Sequence, residues 1–223
     1  SVRYWIHNNM ITINGQKMAR SLGNFITLDE VFNGKHPLLE QPYSPMTVRF
    51  FILQAHYRST LDFSNEALKG AEKGLERLMK AAITLDRLKP STDSTVNVDE
   101  IKTKCYEALD DDLNSPVLLA QLFEAVRLIN SAREGTEKMT ASDIAKMKEL
   151  FSVFVKDILG LIDESAGRGN EKIVSGLMKL ILDIRHEARQ KKDFATSDKI
   201  REELSRLGIT VRDLKDGAEW EFE

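Results

Sequence analysis

After Ser64, the apolar residues Leu68, Ala71, Leu75, Leu78, Ala82 and Leu85 recur at intervals of three and four. Only a helix turns such a spacing into one continuous stripe, so a long helix capped by Ser64 is predicted, with that stripe as core. The same period returns at 45–56, where Pro45 suits a first turn and Val48, Phe51, Ile52 and Ala55 share a face. It returns again at 99–110, at 115–133 with Ser115 as cap and Pro116 opening the helix, and at 142–161. With only 12 Gly and 5 Pro in 223 residues, few breakers interrupt these helices.

Shorter signals set the remaining boundaries. Thr27 and Glu30 read as a capping box opening a short helix that Asn33-Gly34 ends. Ile11 and Ile13 alternate with polar neighbours as a strand does, and Gly15 breaks the pattern. Residues 90–97 have a linker's composition. A break at Gly167-Arg168-Gly169 is expected to precede a helix over 172–191, and Asp193 to cap another over 194–207 that Gly208 stops. The tail from Ile209 to Trp220 reads as a small β-hairpin. The expected fold is mainly α, with a remnant strand near the start and a hairpin at the end.

No apolar run nears the ~18 residues of a membrane span. Ser1-Val2-Arg3-Tyr4-Trp5 does not open a secretory signal, and a single cysteine rules out an internal disulfide framework. A cytoplasmic location is expected. A net charge of −3 does not suggest nucleic-acid binding, yet residues 185–215 hold nine cations against six acids. That local surplus can meet phosphates.

The sharpest local signal is Lys17-Met18-Ala19-Arg20-Ser21-Leu22-Gly23-Asn24. A point-charge Lys and a planar Arg, followed by a hydroxyl and a glycine, can fold around a polyphosphate. On these residues alone an ordinary solvated basic turn is the stronger alternative. The acidic run Asp110-Asp111-Asp112 could suggest a metal site, but its place before Asn114-Ser115-Pro116 favours a solvated, helix-capping turn.

In context, the loop resembles the KMSKS signature of class I aminoacyl-tRNA synthetases. Tyr4-Trp5-Ile6-His7-Asn8, Ser21-Leu22-Gly23-Asn24-Phe25-Ile26-Thr27 and His56-Tyr57-Arg58-Ser59-Thr60-Leu61-Asp62-Phe63-Ser64 resemble the cysteinyl-tRNA synthetase family in particular. So do Ala108 to Pro116, the run from Ala188 to Arg201, and the tail Gly208 to Trp220. The resemblance covers the whole chain. It implies the end of a catalytic domain over 1–44, a stem-contact helical bundle over 45–89 and a linker over 90–98. A helical DALR-like domain over 99–165 and anticodon-binding helices with a hairpin over 166–223 would follow.

The resemblance further implies ATP-dependent attachment of cysteine to its tRNA through cysteinyl-adenylate. Lys17 and Arg20 would be the catalytic cations, and Lys17, Met18, Ala19, Arg20 and Ser21 the ATP-binding loop. Ala19 and Arg20 depart from the usual Ser and second Lys, which leaves the detailed phosphate contacts of position 20 open. Trp5 and His7 would border the nucleotide or amino-acid pocket, with core packing an equal alternative for Trp5. Arg189, Phe194, Asp198, Arg201 and Asp213 match positions that read the anticodon GCA. Arg can serve a guanine edge, Asp an exocyclic amine and Phe a stacked base. The alternative is a solvated helix pair with Phe194 in its core.

The four histidines, His7, His36, His56 and His186, sit in no H-x-G-H, the partner motif of this loop. The family's zinc ligands are expected upstream, and Cys105, without companions, reads as a partly buried helix residue. The chain is therefore expected to be a C-terminal part of the enzyme, inactive alone, needing ATP, cysteine and Zn2+ with the missing half and no membrane. Two rivals remain: a cysteine:amino-sugar-inositol ligase, disfavoured by the terminal block, and a non-catalytic tRNA- or protein-binding adaptor, which leaves the loop unexplained.

Overall fold

The computed structural model describes residues 3–214 and 217–222, and at 165–174, 212–214, 217–219 and 221–222 the backbone alone. The chain is mostly helical and divides into two compact units, Ser1–Asp163 and Glu164–Glu223.

In the first unit, strand β1 (Ile11–Ile13) turns back through Asn14 and Gly15 into the two-residue strand β2 (Gln16–Lys17). Both turn residues have positive φ, 50° and 77°, the geometry that Asn-Gly hairpins favour. Helix α1 (Leu28–Asn33) opens on the expected capping box: the Thr27 hydroxyl accepts from the Glu30 amide while the Glu30 carboxylate accepts from the Thr27 amide. The Thr27 amide and, secondly, the Thr27 hydroxyl both donate to this carboxylate and hold it below its usual pKa. Helix α2 (Pro45–Leu53) starts at the Ser44 cap with Pro45 in its first turn. It ends three residues earlier than the spacing predicts, and its inward face differs too. Thr47, Val48, Phe50 and Phe51 are buried, whereas Ile52 is 50% exposed.

Strand β3 (Leu61–Phe63) pairs in parallel with β1, so the sheet order is β2-β1-β3. Helix α3 (Asn65–Arg87) is capped by Ser64 as expected and buries Leu68, Ala71, Leu75, Leu78 and Leu85. Ala81, rather than Ala82, completes the buried set. Each fully buried leucine contributes about 1.5–3 kcal/mol. Gly74 lets α2 come close: a Cβ there would stand 2.9 Å from the Phe50 ring.

The expected linker is a bonded strap. Ser91 and Thr95 donate their amides to the carbonyls of Met139 and Lys138 at 2.7 and 3.0 Å, and Val96 packs on the core. Helix α4 (Val98–Asp110) follows, then α5 (Ser115–Glu134). The cap of α5 is Asn114, whose side chain accepts from the Val117 amide, so Ser115 is already inside the helix. The triple aspartate therefore does not cap the start of α5; Asp110 ends α4 and Asp111 is its C-cap. Helix α6 (Ala141–Leu150) runs on as a π-helical stretch, Phe151–Ile158, that keeps Phe151, Phe154 and Val155 buried, where one continuous α-helix is predicted. Cys105 is fully buried rather than partly so.

The second unit holds α7 (Ser165–Gln190), α8 (Phe194–Arg206) and the hairpin β4 (Ile209–Leu214) and β5 (Gly217–Phe222). The predicted break at Gly167-Arg168-Gly169 is absent, and α7 runs through it. A glycine inside a helix costs only about 1 kcal/mol relative to alanine, which does not by itself stop the helix. Met178, Leu204 and Ile209 form a small core with Ile181, Leu182, Ile200, Val211 and Trp220. Asp193 caps α8 as predicted, accepting from the Thr196 amide and hydroxyl. Among the described residues no helix is long and apolar enough to cross a membrane.

Candidate functional site

The loop that follows β2 is anchored rather than loose. Met18 donates its amide to Ile11 at 3.4 Å and packs its side chain on the core. Asn24 clamps the loop across its neck: its Oδ1 accepts from the Ala19 amide at 2.9 Å and its Nδ2 donates to the Lys17 carbonyl at 3.0 Å. Between these points Arg20–Leu22 form a 3-10 turn closed by Gly23, whose φ of 68° is costly for other residues. Lys17, Arg20 and Ser21 all project into solvent. Arg20 lies over the Phe25 ring, 5.1 Å from its centroid. Neither cation forms an ion pair among the described residues, so both charges are free for an anion.

The supports beneath the loop are residues that sequence reasoning leaves without a role. Asp62 on β3 accepts from the Thr12 hydroxyl at 2.6 Å and from the Gly15 amide at 2.8 Å, tying the hairpin turn to the sheet. These two bonds hold its carboxyl below the usual aspartate pKa. Asn9 donates its amide to the Tyr57 carbonyl and its Nδ2 to the Arg58 carbonyl, extending the link between these strands. From the same segment Tyr57 donates to Asp112 Oδ1 at 2.7 Å, and Arg58 Nε lies 3.1 Å from Asp112 Oδ2. The Tyr57 hydroxyl, and secondly Asp112, raise the pKa of Arg58. His56 Nε2 faces the Asp112 carbonyl at 3.1 Å, which requires it to donate. Asp112 is thus a tether between the strand segment and the α4–α5 turn, held at a φ of 55°. The Asn14-Gly15 pair was the one sequence signal that could have revealed the hairpin carrying the loop.

Trp5 is 74% exposed and stacks at 6.1 Å on His7, so packing in a core of this chain is excluded for it. Among the described residues no cluster of three His, Cys, Asp or Glu could hold a metal ion.

In the second unit, Phe194, Asp198 and Arg201 recur at i, i+4 and i+7 along one flank of α8, and all three are exposed. Phe194 is 58% exposed, which rules out a core role. Ser197 and Leu204 occupy the inward side. Arg189 is exposed in the last turn of α7, joined to α8 by the short turn that Asp193 closes. Asp213 pairs with Ala218 in the hairpin, and its side chain lies outside the described residues.

Three family descriptions match successive stretches: tRNA synthetases class I (C) catalytic domain over residues 1–73, DALR domain over 104–163, and cysteinyl-tRNA ligase anticodon binding domain over 179–220. The cysteine–tRNA ligase of Porphyromonas gingivalis is 56% identical over 222 residues, 99% of this chain. The chain belongs to the cysteine–tRNA ligase family. That of Parabacteroides distasonis is likewise 56% identical over 222 residues, covering 99% of this chain, and that of Chlorobium luteolum 39% over 225 residues, covering 98%. In each case the match covers 45% of the relative, so the chain spans about half the length of the curated relatives it matches. Within this cysteine–tRNA ligase family member, the class I match contains the hairpin, the clamped loop and β3. The anticodon-binding match contains α8 and the end of α7.

Proposed function

We propose that the chain supplies the signature loop and the tRNA-reading end of a cysteine–tRNA ligase. In this reading the carboxylate of cysteine attacks the α-phosphorus of ATP, the bond to pyrophosphate breaks, and cysteinyl-adenylate forms. A hydroxyl of the terminal adenosine of cysteine tRNA then takes the cysteinyl group and releases AMP. Lys17 and Arg20 stabilise the negative charge that accumulates on the leaving pyrophosphate, where preorganised cations lower the barrier. Met18, Ala19 and Ser21 complete the ATP-binding loop, and the Asn24 clamp holds it in shape. The observation that carries this reading is the pair of exposed, unpaired loop cations inside the stretch that matches the class I catalytic domain.

The domain assignment follows: 1–44 ends the catalytic domain, 45–89 is the stem-contact bundle, 90–98 the connection, 99–165 the DALR-like domain, and 166–223 the anticodon reader. Arg189, Phe194, Asp198, Arg201 and Asp213 would read GCA, the exposed Phe194 ring offering a surface on which a base can stack. A zinc ion in the whole enzyme would need ligands from elsewhere. Cys105 is fully buried and the described residues offer no donor set, so no step is assigned to a metal here.

Binding of the chain to cysteine tRNA and to anticodon-substituted versions, across a salt series, tests the reader. A preference for GCA that Arg189→Ala or Asp198→Ala abolishes is expected, each good base contact being worth about 1–3 kcal/mol. Equal binding to every anticodon with a steep salt slope would overturn it. The chain alone is expected to show no ATP–pyrophosphate exchange, and measurable exchange would refute its dependence on a missing half.

A further inference from the structure

Arg20 stands where the usual signature has its second lysine, and the structure gives this arginine a neighbour suited to it. Its guanidinium carbon lies over the Phe25 ring, 5.1 Å from the centroid. Both ends of the contact are held by the backbone. The Arg20 carbonyl accepts from the Gly23 amide at 3.1 Å, which closes the 3-10 turn. Phe25 sits between Asn24, whose side chain makes both neck bonds, and Ile26, which is buried in the core. The ring thus springs from a fixed point of the chain, while its own surface stays 36% exposed.

A carboxylate could also hold Arg20, but it would neutralise the charge and occupy the N–H fork. An aromatic ring attracts the cation through its quadrupole, leaves the charge intact and keeps the fork for a phosphate. Arginine stacks on aromatic faces as lysine does not, so the ring also accounts for an arginine at this position. A long side chain that is already ordered loses less freedom when an anion arrives. Lys17 has no such ring; its backbone is fixed instead by pairing with Thr12 in the hairpin.

We propose that Phe25 is the positioning residue for Arg20. Its ring presents the guanidinium, fully charged and with its donors unused, to the pyrophosphate that leaves during adenylate formation. This deepens the ligase reading above and rests on it. The same contact could instead park Arg20 away from the anion, and the two roles predict opposite signs. A parked side chain must be pulled off the ring, so removing the ring would tighten anion binding. Presentation fits the geometry: Arg20 remains exposed on its seat and no described carboxylate pairs with it, so nothing has to break before the anion binds.

The test titrates the whole chain with inorganic pyrophosphate and follows the δ-methylene NMR signals of Arg20. The variants are F25L, F25Y, R20K, R20K/F25L, K17Q and R20Q. F32L is the control, since it removes a ring that is also 36% exposed, from α1. Melting curves and retained amide protection of α3 verify folding. In the unmodified chain the ring should displace the Arg20 signals, and the displacement should persist with pyrophosphate bound. F25L should abolish the displacement and weaken pyrophosphate binding about 2–5-fold, the range of an exposed cation–π contact. F25Y, which keeps the ring face, should preserve both. On the R20K background F25L should cost little further affinity, and F32L should match the unmodified chain.

Unchanged affinity in F25L, with binding that still needs Lys17 and Arg20, would overturn the positioning role and leave the loop reading standing. So would tighter binding in F25L, which is the sign of a parked side chain. An equal loss in F25L and F25Y, or an undiminished loss on the R20K background, would make Phe25 a packing residue and overturn the proposal too. Arg20 signals that the ring does not displace in the free chain would remove the seat itself. Pyrophosphate that binds K17Q and R20Q as well as the unmodified chain would refute the loop reading and the proposal together.

Discussion

The Asn24 side chain makes two hydrogen bonds at the neck of the signature loop, and Asn24→Ala removes both while leaving the core untouched. A net hydrogen bond is worth about 0.5–1.5 kcal/mol, so closing the neck is weakened by roughly 1–3 kcal/mol. The freed groups, the Ala19 amide and the Lys17 carbonyl, lie near the surface where water replaces part of each bond. A loss of about 2 kcal/mol is therefore taken, which corresponds to ~30-fold in the opening equilibrium. Hydrogen exchange reads this directly. The Ala19 amide should exchange ~30-fold faster, and the Leu22 and Gly23 amides of the 3-10 turn should follow because their ring closes on the same segment. Amides of α3 and α5 should keep their protection. Asn24→Asp retains the acceptor for Ala19 and loses the donor to Lys17, so it should give an intermediate rate. Unchanged exchange at Ala19 would show that the clamp does not hold the loop. A uniform rise across α3 and α5 would mean that Asn24 supports the whole unit instead.

Three further outcomes are expected. The bonds that lower the Asp62 pKa favour the folded hairpin above the unfolded aspartate value of about 3.9, and this contribution is lost as pH falls through the lower folded value. Protection of the Gly15 amide should therefore drop below about pH 4, and Asp62→Asn should flatten that dependence; an unaltered profile in the variant would exclude Asp62 as its source. Burial pushes the Cys105 thiol up to about 12, so iodoacetamide should leave the native chain unmodified at mildly alkaline pH and label it once unfolded. Rapid labelling of the native chain would contradict the burial. Phe50→Ala should destabilise the first unit by about 3–5 kcal/mol in denaturant melts, because Phe50 is fully buried, edge-on to Phe123 and in contact range of Gly74. A cost below about 1 kcal/mol would mean that α2 and α3 close the cavity by moving together.

What could be read from the sequence was what a few neighbouring residues decide. The Thr27–Glu30 box, the caps at Ser64 and Asp193, the stop at Gly34 and the stripe from Leu68 to Leu85 all depend on partners within four residues or on one helical period. The eight-residue signature loop and the terminal block were legible for the same reason, and they sufficed to indicate the family. The flank of α8 that carries Phe194, Asp198 and Arg201 follows from spacing alone, but only burial showed that the phenylalanine faces outward. The parallel pairing of β1 with β3 joins residues about fifty positions apart, and the Tyr57–Asp112 tether spans a similar distance. No local period encodes such partners. Tertiary packing also chose Phe50 over Ile52 as the buried residue of α2. The juxtaposition of the ends of α3 and α5 belongs with these, since each helix shows its own cations in sequence. Only the packing of the two sets Arg87, Lys89 and Arg133 around one cleft, because helix faces are local properties and their juxtaposition is not.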